Sequence, residues 1–120
     1  MEVLPVEEID EKLLEEAEEE IKKAEKIPAK VKTWIRYLEQ ELDVARTCAD
    51  RCDVECVLDA VASGTTWRHF AIDDAREAVR KGLMDKEAYY TVYWTAITLR
   101  NKLIDEAAEE LRKKCIIRKK

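Results

Sequence analysis

Apolar residues recur every three or four positions along almost the whole chain, and no segment shows the strict alternation that a half-buried strand requires. The pattern predicts an all-α fold, a four- to five-helix bundle with two long helices in one domain spanning 1–120. A first helix, about 5–27, starts at Pro5 and carries Val6, Ile9, Leu13, Ala17, Ile21 and Ala24 on one face. Glu15, Glu16, Glu18, Glu19 and Lys22 fill its other face, and Pro28 ends it.

The second helix is expected over 29–63, with Val31, Ile35, Leu38, Leu42, Ala45, Ala49, Cys52 and Cys56 spaced as a sustained heptad. Gly64 then supplies the left-handed residue that commonly stops a helix. The alternative is a break near 50–53, where Asp53 would cap a new helix and turn the four-helix bundle into five. Thr65 or Thr66 caps a short helix over 66–81, its stripe formed by Trp67, Phe70, Ala71, Ala75, Ala78 and Val79 and its end marked by Gly82. Asp85 caps the last helix, 86–114, and a basic tail covers 115–120. Tyr89, Tyr90, Val92, Tyr93 and Trp94 leave that helix apolar on nearly all sides at its start, so it is expected to be the most buried element.

Helix length bears on assembly. At about 1.5 Å per residue, helices 2 and 4 would reach roughly 54 and 45 Å against roughly 32 and 24 Å for helices 1 and 3. The overhang predicts a homodimer, with the protein itself as first partner and another protein as a further one.

Composition narrows the class. Two Gly, two Pro, one Ser and one Asn in 120 residues are too few turn formers for a sandwich or barrel. No run of about 18 apolar residues exists to cross a bilayer, and the first residues are acidic where a secretory signal would be basic, so no membrane partner and a soluble, cytoplasmic protein are expected. Scarce amides beside 27 acids and 22 bases are the composition of a thermophile's protein. The net charge of −5 argues against a broad nucleic-acid footprint. Charge is unevenly placed, with eleven acids and four bases in 1–26 and four acids and eight bases in 100–120, a distribution that also suits the helix dipoles.

Several residue sets carry candidate chemistry. Cys48, Cys52 and Cys56 stand at i, i+4 and i+8, and on a continuous helix they permit chelation but no mutual disulfide. With Cys115 or His69 as fourth ligand they would make a zinc or iron–sulfur site, although the spacing matches no C-x2-C signature. The reading favoured for them is apolar packing or a bridge to another helix or subunit, with no metal bound.

Asp50-x-x-Asp53 and Asp74-x-x-Glu77 lie on successive helices, where opposed acidic pairs could hold Mg²⁺ for a nucleotide's phosphates. The arrangement resembles that of the all-helical nucleoside triphosphate pyrophosphatases, which pair a Glu-x-x-Glu helix with a Glu-x-x-Asp helix. Here aspartates stand in the first pair and the order is reversed in the second. A third alternative aligns Cys56 to Ala75 with a helix-turn-helix, Gly64 in the turn and Arg68, Arg76 and Arg80 as the basic side, with Asp73 out of pattern. His69 is the sole histidine, and the single Ser63 offers it no triad. No set compels a reaction. The reading is therefore a non-enzymatic helical interaction or assembly protein without catalytic residues or cofactor, the alternatives being a Mg²⁺-dependent nucleotide phosphohydrolase and a DNA binder.

Overall fold

The computed structural model describes the backbone of residues 6–24 and 26–115 and the side chains of 11–24 and 26–115; the expected start at Pro5, the side chains of Val6 and Ile9 and the tail 116–120 lie outside them. The described chain is all-helical: α1 (Val6–Lys23), α2 (Ala29–Asp50), α3 (Val54–Arg80) and α4 (Lys86–Lys114). No strand occurs among the described residues. None of these helices is long and apolar enough to cross a membrane.

The helices run alternately up and down. Glu41 and Trp67, with Trp34 and Asp74, fix α2 antiparallel to α3, while Arg46 with Glu106 and Asp50 with Lys114 fix α2 parallel to α4. Lys102 on α4 pairs with Glu11 on α1 at 3.0 Å and Asp85, at the start of α4, with Lys26, just past the end of α1, at 3.7 Å, which lays α1 antiparallel to α4. The core follows the predicted stripes through most of its length: Val31, Ile35, Leu38, Leu42, Ala45 and Ala49 of α2 are buried, as are Ala71, Ala75 and Ala78 of α3 and Val92, Ala96, Leu99, Leu103 and Ala107 of α4.

Two expectations are corrected at helix boundaries. The helix expected over 29–63 ends at Asp50, the break near 50–53 that stood as its alternative. The segment beyond it merges with the helix expected over 66–81 into one that begins at Val54, so the bundle keeps four helices. The break is a Schellman turn: the Asp53 N–H donates to Cys48 O and the Cys52 N–H to Ala49 O, with Cys52 in the left-handed region at φ 55°. The Asp53 carboxylate then accepts from Cys56 N at 3.1 Å and caps α3. Lys81, Gly82 and Leu83 repeat the same turn after α3, with Gly82 at φ 76°.

Gly64 does not stop a helix; it is buried in the middle of α3, where a Cβ would overlap Leu103 and lie 3.3 Å from Leu38 Cδ1. The glycine permits close helix approach rather than a turn. α2 and α3, at 22 and 27 residues, are closer in length to the 29 of α4 than the sequence pattern predicts, while α1 remains the short helix at 18.

Side-chain placement differs in two further respects. On α1 Ala17 and Ile21 are buried as predicted, but Leu14 is buried in place of Leu13, which is exposed, because the helix meets α4 along one side. On α4 the start is not the most buried stretch: Tyr90 and Tyr93 face outward. Cys52, placed by the heptad in the core, is exposed in the turn.

Candidate functional site

The α2–α3 turn brings all four cysteines to one end of the bundle as two disulfides, Cys48–Cys56 and Cys52–Cys115. The first joins the last turn of α2 to the first turn of α3, a pairing that a continuous helix would have prevented and the break allows. The second fastens the turn to the C-cap of α4, where Lys114 also meets Asp50 at 2.5 Å. Sulfurs joined in these disulfides are not the thiolates that a zinc or iron–sulfur site built on Cys48, Cys52, Cys56 and Cys115 requires. Among the described residues no group of three or more His, Cys, Asp or Glu is arranged to hold a metal ion.

The acidic pairs proposed for Mg²⁺ do not converge. Asp53 and Asp74 sit near opposite ends of α3, about 32 Å apart by helical rise. Each carboxylate is also engaged: Asp50 with Lys114, Asp53 with the α3 cap, Asp74 with Trp34 Nε1 at 2.6 Å, and Glu77 with Arg80 at 2.7 Å. The pyrophosphatase-like geometry is thereby corrected. The helix-turn-helix is corrected as well, since α3 runs without a turn through Gly64. Of its basic residues, Arg80 is held by Glu77, Arg76 lies 4.0 Å from Asp73, and the Arg68 Nε is buried with no hydrogen-bond partner. His69 is exposed and 3.0 Å from Asp73.

What the fold does assemble is an aromatic face along the α2–α3 seam. Positions 34, 37, 41 and 44 fall along the edge of α2 turned to α3, and 59, 63, 67, 70 and 74 along the facing edge of α3. The Trp34 and Trp67 rings stack with centroids 5.5 Å apart and planes within 9°. Tyr37 stands edge-on to both, at 6.0 and 5.1 Å, and Phe70 lies 5.1 Å from Trp34. Both indole N–H groups are satisfied, Trp34 by Asp74 and Trp67 by Glu41 at 3.1 Å.

The cluster is not closed over. Tyr37 is 38% and Phe70 39% exposed, and further along the seam Val44 is exposed beside a groove of about 340 Å³ edged by Glu41, Asp53, Glu55 and Asp59. Asp73, Asp74 and Glu77 flank the other end, and Lys30, 4.0 Å from Asp74, stands beside them. The result is a stripe of rings and aliphatic carbon with carboxylates around its Val44 end and, at the other, carboxylates paired with Lys30, Arg76, Arg80 and Lys81.

The sequence pattern sets Trp67 and Phe70 on a short helix of their own, apart from the helix that carries Trp34 and Tyr37. Only a break at 51–53 puts the two pairs side by side, and the signal for it was the Asp53 cap. No protein family matches the chain, and no curated protein or solved structure matches it.

Proposed function

We propose that this chain is a non-enzymatic interaction module that offers the α2–α3 seam to another protein. The observation that carries the reading is the stacked Trp34–Trp67 pair with Tyr37 and Phe70 left partly exposed on a face that none of the described elements covers. Aromatic clusters of this kind are enriched at protein interfaces and dominate their energetics. Among the described residues no convergence of nucleophile, base and acid competes with it.

The setting we infer is the cytoplasm of a thermophile. Scarce amides, abundant exposed ion pairs such as Arg112–Glu109 and Lys102–Glu11, and paired disulfides belong together in such proteins, where intracellular disulfides are common.

The test is affinity capture from an extract of the source cells with wild-type protein and with the double variant Tyr37→Ser, Phe70→Ser. A partner retained by the wild type and by a Tyr90→Ser control, and lost with the double variant, supports the seam. Equal capture by all three refutes it.

A further inference from the structure

Resting on the seam as a protein-binding face, the charge pattern around it identifies the class of partner: we infer that the seam receives an amphipathic helix whose apolar stripe is edged by Lys and Arg.

Three observations lead there. First, the shape is linear. Position 56 to position 74 on α3 is 18 residues, about 27 Å of helical rise, and the exposed carbon of Val44, Tyr37 and Phe70 follows that line. A helix of about five turns has the same length and offers side chains at i, i+3, i+4 and i+7 to such a stripe.

Second, one end of the seam carries a single sign: Glu41, Asp53, Glu55 and Asp59 border the groove beside Val44, whereas at the other end Asp73, Asp74 and Glu77 are answered by Arg76, Lys30, Arg80 and Lys81. Among the described residues, Glu55 and Asp59 have no ion-pair partner. A basic edge on the visitor would be steered in by this field and held in register by it.

Third, the rings are prepared for cations. Glu41 and Asp74 accept the indole N–H groups of Trp67 and Trp34, so neither indole needs an acceptor from the visitor, while the partly exposed Tyr37 and Phe70 leave aromatic carbon open near those carboxylates. A guanidinium laid on such a ring gains both the cation–π attraction and a neighbouring carboxylate.

The same charges disfavour a second copy laid parallel along the seam, since that two-fold pairing would set Glu41, Glu55 and Asp59 of one chain against the same carboxylates of the other. Nucleic acid and anionic lipid are repelled for the same reason.

The experiment titrates the full-length, oxidised protein with three synthetic helical peptides of about 20 residues. They share one leucine and tryptophan stripe and differ in flanks: Lys/Arg, Glu, or Gln. Calorimetry reads the affinity, and circular dichroism verifies the fold of each variant.

The expected result is binding of the basic peptide at least about tenfold tighter than the glutamine peptide, weakening with added salt, and no binding of the acidic one. Glu55→Lys with Asp59→Lys, both exposed and outside the core, should reduce the preference for the basic peptide about tenfold without unfolding the chain. Tyr37→Ser with Phe70→Ser should abolish binding.

Equal binding of all three peptides, lost in the Tyr37 and Phe70 variant, overturns the basic partner while leaving the seam as a binding face. Binding of none, beside a cellular partner captured through the seam, does the same. A particle of twice the monomer mass by light scattering, returned to monomer by Tyr37→Ser with Phe70→Ser, makes a second copy the occupant and overturns the inference.

Discussion

Gly64 lies where any side chain would strike Leu103, which is itself fully buried on α4. The contact sets how closely α3 approaches α4, and it explains why a glycine is retained in the middle of a 27-residue helix despite its poor helix propensity.

Gly64→Ala is therefore expected to destabilise. Overpacking of a filled core costs about 1–3 kcal/mol, while the helix gains about 1 kcal/mol from alanine. The net loss should be about 1 kcal/mol in urea unfolding. In a Leu103→Ala background, itself lower by about 2–5 kcal/mol, the space is present and Gly64→Ala should become stabilising. A double-mutant cycle with no coupling would contradict the packing role.

The disulfides should contribute unequally. Cys52–Cys115 spans 63 positions and Cys48–Cys56 spans 8. In the chain-entropy description these loops correspond to about 4 and about 2.5 kcal/mol. Cys52→Ser with Cys115→Ser should thus lower the unfolding free energy more than Cys48→Ala with Cys56→Ala, and dithiothreitol should lower the wild-type Tm while a chelator leaves it unchanged. Elemental analysis should find no stoichiometric zinc or iron; its presence would reverse the assignment of the cysteines.

Cys52 also occupies a left-handed position, which costs a non-glycine residue about 1 kcal/mol. In reduced protein, Cys52→Gly should be more stable than Cys52→Ser by about that amount. Equal stability would mean the turn relaxes once its bridge is gone.

The helical stripes were legible because burial on each helix follows the 3.6-residue period, and the Asp53 and Asp85 caps were legible because a side-chain oxygen satisfies free N–H groups at a helix start. The turn at 51–53 was harder to read. Its left-handed position holds cysteine where glycine is usual, whereas Gly64, the residue with the stop signature, serves interhelical packing. Local signals do not separate these two uses of glycine, since the difference lies in Leu103, 39 positions away. The same misplacement hid the aromatic seam, whose four rings come from residues 34, 37, 67 and 70 and meet only through the turn.

Asp74 offers a check on the seam's internal order. It accepts from Trp34 Nε1 at 2.6 Å in a partly buried setting. Asp74→Ala should cost about 1–3 kcal/mol, because the indole N–H then loses its partner. Asp74→Asn keeps an acceptor and should cost less. Equal losses in thermal unfolding would show that the hydrogen bond is not what matters there.

The docking of α1 should depend on pH through Glu18. This carboxyl is pushed up to about 8, first by burial, then by its hydrogen bond with Glu39 on α2 and the charge of Glu39, with Lys22 on α1 and Lys102 on α4 pulling the other way. At neutral pH Glu18 is therefore mostly protonated and shares its proton with Glu39 across the α1–α2 contact. The folded value lies above the ordinary 4.5, so the folded chain binds this proton more tightly than the unfolded chain does. The contribution is fully present below 4.5 and declines as pH rises toward about 8, beyond which two carboxylates face each other and no further change follows from this group. Hydrogen exchange of α1 amides, after correction for the intrinsic pH dependence, should show weaker protection at pH 9 than at pH 5, with α2 and α3 much less affected. Glu18→Gln retains an N–H donor toward Glu39 and removes the titration, so α1 protection in that variant should be nearly independent of pH over this window. An unchanged pH dependence in Glu18→Gln would assign the effect to other groups along α1.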